Sequence, residues 1–249
     1  MNKKEWFEEE DFWINYGPVM FDEAHWAEAQ GVAQSCVDIC HLKKNASILD
    51  AGCGPGRISV ELSLLEMNVT GVDNIQLYLD MAEESARDEG VKLNLIKADL
   101  RTFSQKEKYD AAFNLYTSFG YCDSQEEDLQ IIKNICQSLK KDAYFILECT
   151  SRETAIRYFT EGEWFERDNK TVLTHFEVVG AWEGLKSQWI LIGKDGKKIE
   201  HTFIQRLYSA AELRELIKAC GFSQAQVFGG YDLRPYDYNA KTMLIVARK

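Results

Sequence analysis

The strongest constraint on this chain's fold lies in its first 150 residues, where short apolar runs alternate with longer amphipathic stretches. The runs fall at residues 47–51, 69–73, 93–98, 111–115 and 143–148 and read as strands. Between them, Ile58, Leu62 and Leu65 recur at helical spacing, as do Leu79, Ala82 and Ala86, and again Leu129, Ile132, Cys136 and Leu139. Parallel neighbours need crossover connections, so strands separated by amphipathic helices predict a doubly wound α/β sheet covered on both faces. The pattern changes near residue 150. Residues 171–179 alternate, with Val172, Thr174, Phe176 and Val178 on one face and Leu173, His175 and Glu177 on the other. With strands at 187–192 and 198–208 and a Lys194-Asp195-Gly196-Lys197 hairpin turn, they predict a small three-stranded antiparallel sheet.

The helical class then resumes. Ser209 and Glu212 form a capping box, with Tyr208 and Leu213 placed as a hydrophobic staple. Leu213, Leu216, Ile217 and Cys220 supply the buried stripe, Gly221 stops the helix, and strands at 225–228 and 242–247 close the chain. At 249 residues, 45% hydrophobic and 28% charged, the chain suits one large domain, or one domain plus an insertion. No apolar run approaches the roughly 18 residues of a membrane helix. Residues 1–11 are acidic and aromatic, the opposite of a secretory leader, so a cytoplasmic protein is expected. The net charge of −11, with no large cluster of Lys and Arg, argues against a nucleic-acid partner. Seven cysteines, an odd number, fit a reducing compartment. Cys36 and Cys40 continue the apolar stripe of Trp26, Ala29 and Ala33, so core packing is expected and no metal site.

Chemistry concentrates in Ile48-Leu49-Asp50-Ala51-Gly52-Cys53-Gly54-Pro55-Gly56-Arg57-Ile58, a strand entering a glycine-rich turn from which a helix starts. Glycines let a ligand approach the backbone where a Cβ would clash, and the turn falls at the carboxyl end of the first strand. A dinucleotide fingerprint would carry a small residue where Arg57 stands, and the Gly-Lys-Ser/Thr of a phosphate-gripping loop is absent. Asp50 suits a ligand with a cationic amino group better than a pyrophosphate, which disfavours a nicotinamide oxidoreductase.

Asp50-Ala51-Gly52-Cys53-Gly54-Pro55-Gly56 resembles the first motif of the class I S-adenosylmethionine-dependent methyltransferases, and later motifs follow at matching intervals. The resemblance implies a Rossmann-like seven-stranded sheet with an antiparallel last strand. It places Asp73, with Asn74, at the ribose hydroxyls, and Asp99, with Leu100, at the adenine. Asn114-Leu115-Tyr116 matches the motif beside the methionine moiety, and Cys53 lies within the glycine turn. One departure is Ile75, where many relatives carry serine. The closing pattern, Arg206-Leu207-Tyr208 through Gly221-Phe222, resembles small-molecule members.

Residues 1–150 and 206–249 are therefore expected to form the cofactor-binding domain, with 1–45 as a helical cap and 151–205 as a β insertion roofing the substrate pocket. Tyr16 is the expected cap residue at the cofactor, His175 and Tyr116 the candidate catalytic residues, and Arg206 and Tyr231 the candidate substrate contacts. Trp164, Trp182 and Trp189 are expected in the roof. The expected activity is in-line methyl transfer to a small-molecule amine or hydroxyl. A protein or peptide methyltransferase, or a non-catalytic cofactor-binding protein, is the alternative. The Asn-Pro-Pro-Tyr signature of amino-methylating nucleic-acid enzymes is absent, and the aromatic N-terminus is compatible with a homodimer.

Overall fold

A computed structural model describes residues 5–249. A short 3-10 turn, Trp6–Glu8, leads into α1 (Glu10–Met20), α2 (Glu23–Ala27) and α3 (Ala29–Ile39). There follow β1 (Ser47–Ala51), α4 (Arg57–Leu64), β2 (Asn68–Asp73), α5 (Gln76–Asp88), β3 (Asn94–Lys97), β4 (Tyr109–Asn114), α6 (Gln125–Ser138) and β5 (Leu139–Cys149). The insertion contains α7 (Arg152–Arg157), β6 (Gly162–Arg167), β7 (Lys170–Val179), β8 (Gly184–Gly193) and β9 (Lys198–Arg206). The chain closes with α8 (Ala210–Ala219), β10 (Gln224–Phe228) and β11 (Met243–Arg248).

The main sheet has seven strands in the order β3-β2-β1-β4-β5-β11-β10. β11 runs antiparallel to both of its neighbours, and the remaining pairs are parallel. β1 lies between β2 and β4, so the strand order reverses direction there, which opens a crevice beyond the carboxyl ends of β1 and β4. Successive residues of β1 serve opposite layers. Ile48 packs with Ala33 and Cys36 of α3 and Leu62 of α4, whereas Leu49 packs with Ile132 of α6 and Leu213 of α8. Burial on both faces is why these strands read as short continuous apolar runs. Serine side chains cap α6 and α8, where Ser124 pairs with Glu127 and Ser209 with Glu212 in capping boxes.

The insertion forms a separate antiparallel sheet in the order β6-β7-β8-β9, four strands where three were expected. No position of β6 is buried and Trp164 is 69% exposed, so no apolar alternation marks that strand in the sequence. Helix α1 lies on this sheet, packing Phe12, Tyr16 and Val19 against Val172, Leu191 and Phe203. All seven cysteines are free and buried. Among the described residues, no helix is long and apolar enough to cross a membrane.

Candidate active site

The turn after β1 is built around glycine for two separate reasons. Gly56 has φ +83°, and a Cβ there would stand 2.6 Å from the Ala82 Cβ, so its absence lets α4 start against α5. Gly54 has φ +52° and faces the crevice, where only Phe21 comes within 4 Å of the position a Cβ would take. The turn thus leaves its backbone open to a ligand.

A cavity of about 450 Å³ occupies the crevice, in the size range of small-molecule sites. Its wall includes Asp50, Gly52, Cys53, Gly54, Asp73, Asn74, Asp99, Leu100, Leu115 and Tyr116. Asp50 is buried and accepts a hydrogen bond from Ser59 Oγ at 2.6 Å. Burial pushes its carboxyl up to about 6, opposed by the Ser59 hydroxyl. Asp73 ends β2 and accepts one backbone N–H on each oxygen, from Gly54 and from Ile75, both at 2.9 Å. Each oxygen keeps lone-pair capacity toward the cavity, and burial raises this carboxyl too. The backbone N–H of Ile75 serves Asp73 although its side chain has no hydroxyl. Asp99 is held by Arg101, through its backbone N–H at 2.7 Å and Nε at 2.8 Å.

Asn114, by contrast, lies behind the wall. Its Nδ2 donates to Ala51 O at 2.6 Å, which ties β4 to β1, and its Oδ1 has no partner. Tyr116 and Thr117 adopt left-handed φ values of +54° and +60°, a strained conformation away from glycine. The Tyr116 N–H donates to Glu148 Oε2 at 2.8 Å and the Thr117 N–H to Glu148 O at 3.3 Å, which holds the strained loop against β5.

Besides Asn114 and Gly56, four expected site residues lie off the cavity wall. Tyr16 points away from the cavity, its hydroxyl donating to Trp189 O at 3.0 Å, because α1 turns that face to the insertion sheet. His175 is half exposed on the outer face of β7, 3.7 Å from Glu177, and is not part of the cavity wall. Arg206 is committed to the buried Asp128 at 2.7 Å and to the carbonyls of Cys122 and Asp123, and it is not part of the cavity wall. Tyr231 is absent from the cavity wall, although its hydroxyl is buried without a hydrogen-bond partner. From the insertion, Phe203 lines the cavity, and Trp164, Trp182 and Trp189 do not.

Several wall residues were not singled out from sequence. Arg57 is 5% exposed and pairs with no carboxylate among the described residues; it donates to His25 O and lies 4.2 Å from the Tyr116 ring centroid. Its signal was a charged residue at the first helical position after the glycine turn. Tyr78 is buried with a partnerless hydroxyl, and Gly17 makes room for it, since a Cβ there would stand 2.7 Å from the oxygen. Trp6, Phe7, Trp13 and Phe21 wall the side opposite the sheet. Arg101 Nη2 bonds Glu8 at 2.7 Å, securing the 3-10 turn to the Asp99 loop. Glu148 closes the end of β5 beside Tyr116. A carboxylate following Phe145-Ile146-Leu147 at the end of a predicted parallel strand was a legible signal.

Comparison with known proteins places this geometry. The sequence pattern of the methyltransferase domain family matches residues 42–206, about two thirds of the chain. The cypemycin N-terminal methyltransferase of a Streptomyces species is 24% identical over 208 residues, covering 82% of this chain and 83% of its own length. The ubiquinone biosynthesis O-methyltransferase of Rickettsia canadensis is 30% identical over 105 residues, 42% of this chain and 43% of that protein. In fold, the chain resembles an S-adenosylmethionine-dependent methyltransferase from Clostridium acetobutylicum, with TM-score 0.78 at 16% identity over 96% of this chain and 97% of the other. The switch-point cavity, the glycine turn and the family match together identify the chain as a member of the methyltransferase domain family, within the class I S-adenosylmethionine-dependent superfamily.

Proposed function

We propose that this protein transfers the methyl group of S-adenosylmethionine to an amine nitrogen or hydroxyl oxygen of a small molecule. The observation that carries this reading is the pair of opposite charges at one end of the cavity. Asp50 and the unpaired Arg57 match the ammonium and carboxylate of an amino-acid moiety, and Asp73 stands beyond them with both oxygens available to ribose hydroxyls. Arg57 has no carboxylate within ion-pair distance among the described residues, so a ligand carboxylate would supply the ionic partner it lacks. Leu100 and Asp99 suit the adenine, and Tyr78 offers a further hydroxyl beside Asp73.

When bound there, the cofactor supplies a sulfonium-activated methyl group open to in-line displacement. The protein's own task is alignment and exclusion of water, and orientation of this kind is worth roughly 7–11 kcal/mol in well-placed reactions. Tyr116 lies between the amino-acid end and Glu148, where the acceptor would meet the methyl group. Trp6, Phe7, Trp13 and Phe203 cover the cavity, which favours a small acceptor over a protein chain needing an open groove. Residues 1–150 and 206–249 would hold the cofactor, with 151–205 bracing α1 over it. The two relatives, one an N-terminal and one an O-methyltransferase, span both acceptor atoms. The free, buried thiols suit a cytoplasmic protein.

Melting curves with and without S-adenosylhomocysteine test the reading. A ligand at 100 times its dissociation constant stabilises the native state by about 2.7 kcal/mol, so wild type should melt visibly higher. Asp73→Ala should lose the shift, and NAD should give none. No response of wild type at millimolar S-adenosylhomocysteine would overturn the proposal.

A further inference from the structure

Glu148 is the carboxylate of the cavity wall that remains after the others are accounted for. Asp50 and Asp73 face the cofactor in the reading above, on which this inference rests. Asp99 is paired with Arg101 and Asp128 with Arg206. Glu148 accepts only neutral donors, the Tyr116 N–H and the Thr242 hydroxyl, both at 2.8 Å, and pairs with no cation among the described residues. It stands at the end of β5, one hydrogen bond from the Tyr116 backbone, and the Tyr116 ring in turn lies 4.2 Å from Arg57, which links Glu148 to the amino-acid end of the cavity in that reading. The Tyr231 hydroxyl is buried without a hydrogen-bond partner, and burial, with Glu148 adding to it, pushes that hydroxyl well up.

The cations of the wall offer nothing comparable to an anion. Arg101 is held by Asp99 and Glu8, each at 2.7 Å, with Glu127 at 3.8 Å. Arg57 faces the cofactor end, and the His25 ring is turned by its Nδ1 contact with Asp22 at 2.5 Å. The rest of the wall is aromatic, with Trp6 stacked on Phe203 at 4.6 Å between centroids and edge-on to Tyr121 at 5.1 Å. Aromatic faces attract ammonium groups and methylated ammonium groups alike.

We propose that the acceptor is a primary or secondary amine, recognised through its positive charge by Glu148 and the aromatic wall. The amine reacts as its free base, having released its ammonium proton to solvent. Its lone pair forms the N–C bond as the C–S bond breaks, and that electron pair stays on sulfur. The positive charge thereby passes from sulfur to nitrogen, toward Glu148, so the carboxylate stabilises the transition state relative to the bound free base. A neutral hydroxyl acceptor brings no cation for that carboxylate to recognise.

Isothermal titration of the protein saturated with S-adenosylhomocysteine tests this with three probes of one shape: benzylamine, benzyl alcohol and benzoate. Benzylamine should bind at least about tenfold more tightly than either of the others near neutral pH. Glu148→Gln should abolish that preference while leaving the affinity for S-adenosylhomocysteine unchanged. Equal binding of the three, tighter binding of the alcohol or benzoate, or a preference that survives in Glu148→Gln would overturn the proposal. The wild-type ranking needs no variant, so a poorly folded Glu148→Gln leaves it decisive. Failure of S-adenosylhomocysteine to bind at all would instead strike at the cofactor reading.

Discussion

At the scale of the residue, Asp50 shows how one buried carboxyl serves two opposed demands. Its pKa of about 6 in the folded protein lies above the ordinary 3.8, so the fold holds its proton more tightly than the unfolded chain does. Without ligand, ionisation therefore costs stability as pH rises through about 6, by about 3 kcal/mol from this group alone. A cationic amino group reverses the sign, because it binds the ionised form. S-adenosylhomocysteine should accordingly bind more tightly as pH rises from 5 to 7.5, and calorimetric titration of Asp50→Asn should show that dependence flattened. Asp50 was readable as a candidate ligand group because it sits beside the glycines in one short segment. Arg57 and Glu148 carry as much of the proposed site, yet their unpaired state is visible only once every neighbouring charge has been placed.

At the scale of the element, the start of α4 depends on a missing methyl group. An alanine at Gly56 would face both a left-handed φ of +83° and the Ala82 Cβ at 2.6 Å. Strain and overpacking together should cost about 2–4 kcal/mol, read from urea denaturation. Gly90→Ala separates the two terms. Its φ is +70° but nothing lies within 4 Å of the added Cβ, so only the strain of about 1 kcal/mol should appear. The parallel strands were legible because burial on both faces leaves continuous apolar runs. β6 was not, because Gly162-Glu163-Trp164-Phe165-Glu166-Arg167 holds only two apolar side chains, adjacent to each other, which makes neither an alternation nor a run. His175 failed for a related reason. The alternation on β7 was read correctly, but alternation does not say which face of a small sheet meets the cavity.

At the scale of the whole molecule, the insertion is joined to the main sheet through a buried carboxylate. Asp128 on α6, with no exposed side-chain surface, accepts from Arg206 at 2.7 Å, Tyr208 at 2.8 Å and the Cys122 N–H at 3.2 Å. Arg206→Met leaves that charge without its cation and should cost about 3–5 kcal/mol. Benzylamine and benzoate should each bind the folded, S-adenosylhomocysteine-saturated variant as they bind wild type, the result a structural Arg206 requires and a substrate-contacting one forbids. The sequence alone determined the α/β class, the position of the glycine turn and the order of Asp50, Asp73 and Asp99, because each rests on contacts within one strand, turn or helix. Tertiary structure alone decided that Tyr16, His175 and Arg206 leave the cavity wall, that Tyr78 enters it, and that Arg57 and Glu148 stand in it without an ionic partner. Those outcomes depend on how α1 and the insertion sheet dock over the crevice, and docking buries or exposes a side chain according to partners more than 100 residues away, as in the Tyr16–Trp189 contact.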